Sequence, residues 1–128
     1  MTQPITPYLL YEDAAAALEF LSRAFGFTES MRIDADGRVQ HAEMELGDGR
    51  IMFGQPAEGY RNPKHLGTAT ALIYAYVDDV DAHCAQAREA GAEIAEEPAD
   101  QEYGDRRYHA RDPEGHDWYF AQRMAGNA

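Results

Sequence analysis

The chain has 128 residues, 23 acidic against 11 basic side chains, a formal net charge of −12 and one cysteine, Cys84. That length suits one domain with a core that needs no staples, and one thiol excludes an internal disulfide and fits a reducing cytoplasm. The charge disfavours nucleic acid, whose phosphates need a basic surface, and would draw cationic ligands, although acidic surfaces also serve solubility alone.

The opening stretch MTQPITPYLL lacks the basic and apolar regions of a signal peptide. No apolar run approaches the roughly 20 residues of a membrane helix, so no membrane partner is expected. ITPYLLY is apolar and β-rich and reads as a strand. In YEDAAAALEFLSRAFGF, Asp13 can cap a helix by accepting first-turn amides. Ala17, Leu18, Leu21, Ala24 and Phe25 recur at helical spacing as its buried stripe. Gly26 ends it, since a residue without Cβ adopts the left-handed conformation cheaply. FTESMRI, RVQHAEMEL and RIMFGQP then read as strands joined by the turns DADG and GDG. AEGYRNPKHLGT is rich in Gly, Pro and Asn and reads as a linker, long enough to cover a cavity mouth.

The second half repeats the order. ATALIYAYV is a strand, Asp79 caps a helix that stops near Gly91, and AEIAEEP, DRRYHARD and HDWYFAQR are strands. The tail MAGNA should fray. Asp13 and Asp79 differ by 66 positions, as do Gly49 and Gly115. One shared offset implies two copies of a unit, and such repetition fixes an architecture. The units span about 4–56 and 70–123 within one domain over 1–128, joined by a linker at 57–69. The fold class is α+β, with two βαβββ repeats.

The stretches PYLLYEDAAAALEFLSRAFGF, VQHAEMELGDGRIMF, VDDVDAHCAQAREAGAEI and YGDRRYHARDPEGHDWYF together resemble the vicinal oxygen chelate superfamily. Its members include glyoxalase I, bleomycin resistance proteins and extradiol dioxygenases. The last stretch resembles the PhnB-like subgroup most. This resemblance implies that each repeat forms a curved half-barrel. It also implies a cavity between half-barrels and a homodimer in which a second chain contributes.

Metal-dependent relatives take ligands from the first and last strands of each unit. Carried over by resemblance, those positions are Thr6 and Phe53, then Leu72 and Tyr119. None is a good ligand for a divalent cation, which wants imidazole, thiolate or carboxylate. No cofactor is therefore expected. His41 and Glu43, two apart on a strand, share one face with Glu45, and His109 matches Glu43 at the same offset. A His41/Glu43/His109 cluster could be a displaced metal or acid–base site, with Glu43 as base and a histidine as shuttle. It could equally be a structural network salt-bridged to Arg107 and Arg111.

Alternation sends Trp118 and Phe120 under a helix and Tyr119 into the cavity. Tyr8, Phe53, Tyr103, Arg106 and Tyr119 are the expected cavity residues. An Asp105–Arg106 pair would fix the YGDR turn, with Tyr103 and Gly104 forming the bend. Cys84 matches Leu18 and reads as a small core residue. His65 and His83 read as solvated or interfacial. Two functions stay open. One is a metal-free binder of a small organic molecule, cationic or aromatic. The other is a lyase, isomerase or dioxygenase of the superfamily.

Overall fold

The computed structural model describes residues 3–124, so Met1, Thr2 and residues 125–128 of the MAGNA tail lie outside the described residues. The first repeat contains β1 (Tyr8–Leu10), α1 (Ala14–Phe25), β2 (Thr28–Ala35), β3 (Arg38–Leu46) and β4 (Gly49–Gly54). The second contains β5 (Leu72–Tyr76), α3 (Val80–Glu89), β6 (Glu93–Asp100), β7 (Asp105–Arg111) and β8 (Asp117–Arg123), with α2 (Pro63–Leu66) between the repeats. Each repeat closes a four-stranded sheet, β1-β4-β3-β2 (sheet A) and β5-β8-β7-β6 (sheet B). The α+β class and the repeated βαβββ order are therefore as expected. No helix among the described residues is long and apolar enough to cross a membrane.

Local chemistry explains the helices. Asp13 Oδ1 accepts from Ala16 N at 3.1 Å, and Asp79 Oδ1 accepts from Ala82 N at 3.1 Å, each filling one of the orphan amides of a first turn. Gly26 ends α1 at φ 82°, a conformation that favours glycine. Every residue of the expected stripe is buried, and Ala14 and Phe20 join it.

The two repeats share one core. Phe25 at the end of α1 packs on Trp118 and Phe120 of β8, with ring centroids 5.5 Å and 4.7 Å apart. Trp118 and Phe120 are fully buried on the helix-covered face of sheet B, and Cys84 is buried in α3. Each sheet therefore has one face under the helices and one open face.

His83 sits at the seam between the repeats. Its Nε2 lies 2.7 Å from the Phe25 carbonyl, which can only accept, so Nε2 carries the proton and Nδ1 accepts from Tyr108 Oη at 2.6 Å. Burial lowers its pKa below the ordinary 6.5, against the opposing pull of the Phe25 carbonyl. The folded state thus prefers neutral His83, while the unfolded chain takes up a proton near the ordinary value. The resulting stability is fully present above about pH 6.5 and is lost as pH falls toward the depressed folded value. Urea unfolding of the wild type and His83→Gln between pH 7.5 and 5 checks this. The stability advantage of the wild type should shrink on acidification; parallel pH profiles would remove His83 from the account.

The linker is more ordered than its composition predicts. Pro63 opens the one-turn helix α2, with Gly67 as its left-handed cap, and α2 rests on the turn after β7. Lys64 N donates to Glu114 O at 3.1 Å. That turn is a polar junction. Asp112 Oδ2 accepts from Tyr11 Oη at 2.6 Å and Trp118 Nε1 at 3.0 Å, while Oδ1 accepts from the amides of Glu114 and His116, both at 3.1 Å. The Glu114 carboxylate accepts from the amides of Glu12 and Asp13 at 2.7 Å and 2.9 Å and from the Asn62 side chain. His116 Nε2 reaches the Leu10 carbonyl at 3.2 Å. The second repeat's hairpin thereby grips the start of the first repeat's helix.

Candidate ligand site on the open sheet faces

Register places the open-face residues of sheet A. Tyr8 lies beside Met52, and Met52 opposite Glu43. Glu43 Oε2 accepts from His41 Nε2 at 3.0 Å, which leaves His41 Nδ1 to accept from Tyr8 Oη at 3.2 Å. Arg50 Nη1 closes the chain at 3.5 Å from Glu43 Oε1. The Tyr8 ring lies directly over Gly54, where a Cβ would stand 2.2 Å from the phenol oxygen. Half-exposed Tyr8 thus ends a Tyr8–His41–Glu43–Arg50 array.

Sheet B carries a different surface. Tyr74 pairs in register with Tyr119, and Tyr119 with His109. The Tyr119 ring stacks on His109 at 4.4 Å and lies parallel to Tyr74 at 6.2 Å. Tyr74 and Tyr76 both donate to Asp105 Oδ2, at 2.7 Å and 2.8 Å, and the Tyr103 hydroxyl meets that of Tyr74 at 3.1 Å. Burial, then the bonds to Tyr103 and Asp105, raises the pKa of Tyr74. The Asp105 hydrogen bond does the same for Tyr76. Both remain neutral phenols. His109 Nε2 donates to Asp117 Oδ1 at 2.7 Å, and Arg111 pairs with Asp117 and Glu93.

Three expectations change. Phe53 is fully buried against Tyr11 in the core, not on the open face. The cause is a hairpin of unequal length: four residues separate the paired Glu45 and Arg50, five separate Arg111 and Asp117. The repeat offset is 66 up to Glu45/Arg111 and 67 from Arg50/Asp117 onward, so Met52 matches Tyr119 and Phe53 matches Phe120. A slip of one residue exchanges the faces of a strand.

Arg106 also faces the other way. It binds Asp81 at 3.0 Å and Asp100 at 3.1 Å on the side of α3. It makes no pair with Asp105, whose carboxylate takes the two phenols instead, because adjacent strand residues point to opposite faces. The open-face arginines of β7 are Arg107 and Arg111. Finally, His41 and Glu43 meet, but His109 belongs to sheet B with Asp117 and Tyr119. Equivalent places in two repeats are not neighbouring places.

Tyr8, Tyr103 and Tyr119 do lie on the open side. A cleft of about 350 Å³ lies between the repeats, with Pro7 and Arg50 on one wall and Ile73, Tyr74 and Tyr76 on the other; Tyr8, Tyr103 and Tyr119 do not line it. Residues 101–104 form the expected bend, with Gly104 N donating to Gln101 O at 3.1 Å and Gly104 at φ 103°. His65 is half-exposed and pairs with Glu12 at 3.2 Å. At the positions that the resemblance implied for a metal, the set becomes Thr6, Met52, Leu72 and Tyr119. A hydroxyl, a thioether, an alkyl chain and a phenol do not suit a hard or borderline divalent cation. Among the described residues no group of three His, Cys, Asp or Glu side chains could hold a metal elsewhere.

Two sheets built from βαβββ units, each with one face free for a ligand, define the architecture of the vicinal oxygen chelate proteins. The model of the Glyoxalase/Bleomycin resistance protein/Dioxygenase superfamily matches residues 5–120, and the chain belongs to that superfamily. It is 32% identical to the uncharacterised protein Mb0911c of Mycobacterium bovis, with 92% of this chain and 82% of that one covered. Among solved structures it resembles TioX from Micromonospora sp. ML1, with a TM-score of 0.78, 31% identity and coverage of 96% and 100% of the two chains. It also resembles an Arabidopsis thaliana gene product, AT5G48480, with a TM-score of 0.73, 25% identity and coverage of 94% and 99%.

Proposed function

We propose that this protein binds a small aromatic organic molecule against the open face of sheet B, without the metal of its metal-dependent relatives. The observation that carries this reading is the tyrosine surface formed by Tyr74, Tyr76, Tyr103 and Tyr119 beside the cleft. Ligand sites combine aromatic walls with a few fixed polar groups, and the Asp105 hydrogen bonds hold Tyr74 and Tyr76 in place before a ligand arrives. The aromatic half of the expectation is carried forward rather than the cationic half. The guanidinium carbons of Arg107 and Arg123 lie 4.7 Å and 4.5 Å over Tyr119 and Tyr76, so a ligand cation would meet like charge there, whereas an aromatic ring can pack on the guanidinium planes and ring edges. A second copy of the chain would cover the open faces, so a cytoplasmic homodimer belongs to this reading. The YGDR and DPEGH stretches favour the PhnB-like subgroup.

Catalysis is the second reading, favoured by the Tyr8–His41–Glu43 array. A phenol bonded to an imidazole that a carboxylate orients is a usable proton relay. One experiment separates the two. Calorimetric titration with 2-naphthol should show saturable binding, weakened about tenfold by Tyr119→Ala through lost aromatic contact. Unchanged affinity in Tyr119→Ala would remove the site from sheet B. Chemical conversion of a bound aromatic carbonyl compound that stops in His41→Ala would replace binding by catalysis.

A further inference from the structure

Most arginines with a role on these sheets answer a carboxylate: Arg50 pairs with Glu43, Arg106 with Asp81 and Asp100, Arg111 with Glu93 and Asp117. Arg107 and Arg123 do not. Among the described residues neither has a carboxylate oxygen within ion-pair distance, and each lies over a tyrosine ring of the open face. Register puts them side by side. Arg107 is opposite Ala121, Arg123 is opposite Asp105, and Tyr76 flanks Ala121 from β5. Two cations and two tyrosines therefore surround one alanine methyl.

We infer that Arg107 and Arg123 form an anion subsite, and that the molecule held on the aromatic face is a planar aromatic carboxylate. The inference rests on the proposed aromatic binding and names the chemical class of its ligand. A guanidinium presents a planar fork that matches a carboxylate with two parallel N–H donors. Stacking on Tyr119 and Tyr76 restrains both long side chains, so less rotamer freedom is lost when an anion binds.

The acids on the same face do not supply the missing counter-ion. Asp105 is buried at 4% exposure and turned to two phenols. Asp117 and Glu93 are held by His109 and Arg111. Glu96 stands opposite His109 on the edge strand β6, one position further from the tyrosines. The more distant acids of the chain are screened within about 8 Å at physiological salt; Asp105 is the one acid beside the two arginines, opposite Arg123 in register, and its Oδ2 is taken by two phenols.

Three ligands with one ring system test this on the full chain: 2-naphthoate, 2-naphthamide and 2-naphthylmethylammonium, titrated calorimetrically at low and moderate salt. Naphthoate should bind about tenfold tighter than the amide, and the ammonium weaker than either. Added salt should narrow the gap. Arg107→Gln and Arg123→Gln should each lower the naphthoate-to-naphthamide affinity ratio about fivefold, and the double variant should lose the preference. Circular dichroism and melting curves establish that the variants fold. Equal affinity for naphthoate and naphthamide, or a preference that survives in the double variant, overturns the subsite and leaves aromatic binding standing. If none of the three binds, aromatic binding fails and the subsite falls with it.

Discussion

Asp112→Asn should cost about 2–4 kcal/mol of folding stability, far more than a surface amide substitution. All four groups that meet this buried carboxylate are donors: the Tyr11 phenol, the Trp118 indole and the amides of Glu114 and His116. A carboxylate satisfies them with two acceptor oxygens. An asparagine of the same shape offers one oxygen and an NH2 that must face two of those donors. At least one buried donor then loses its partner, and the two opposed donors repel. Burial, with the charge of Asp112 next, holds the Tyr11 pKa well above its usual value, so the phenol cannot escape by ionising. Urea denaturation of the wild type, Asp112→Asn and Tyr11→Phe measures this. Tyr11→Phe removes one donor and leaves the acceptor hydrated or otherwise bonded, so it should cost only about 1 kcal/mol. A loss below about 1 kcal/mol in Asp112→Asn would show that the junction relaxes around the amide.

Gly115→Ala should be comparably severe, at about 2–4 kcal/mol. Gly115 has φ +90°, and a Cβ there would stand 2.6 Å from Lys64 N and 3.1 Å from the Lys64 Cα. Backbone cannot rotate away as a side-chain tip can, so α2 would have to lift off the turn and lose the Lys64–Glu114 bond. Gly37→Ala supplies the comparison. Gly37 also has positive φ, at +73°, but nothing within 4 Å of its added Cβ, so it should cost only about 1 kcal/mol. Equal midpoint shifts for the two variants would mean that dihedral strain alone acts and that the close approach contributes nothing.

Local signals made the elements legible. Capping aspartates, Gly26, the helical stripe and the turn residues act over a few positions, and each produced the structure it should. Alternation correctly turned Trp118 and Phe120 inward and Tyr119 outward, because β8 is regular. Phe53 was misplaced because its face was carried over from the other repeat across a hairpin one residue shorter. Counting alternation within RIMFG from Met52 beside Tyr8 would have found the right face, had the β1–β4 register been known. The Asp105–Arg106 pair failed for a related reason: neighbours in sequence on a strand are strangers in space. The Tyr8–His41–Glu43 array was half legible, since His41 and Glu43 are two apart on one strand. Tyr8 joins them only through the parallel pairing of β1 with β4, and no local spacing announces it. The partners of Asp112 and Glu114 were invisible for the same reason, because a carboxylate in a turn looks like turn chemistry until its long-range donors are known.

The grip of Glu114 on the start of α1 also sets an order of events. The amides of Glu12 and Asp13 meet their acceptor from 102 and 101 residues further along the chain, and Tyr11 meets Asp112 from 101 residues away. As the chain is synthesised from its N-terminus, the first repeat emerges with these donors facing water and with Phe25 lacking the Trp118 and Phe120 rings. It cannot reach its final state as an independent early product. Its maturation waits for the second repeat's closing hairpin, so a ribosome stalled before residue 112 displays a half-built molecule with an apolar seam in need of protection.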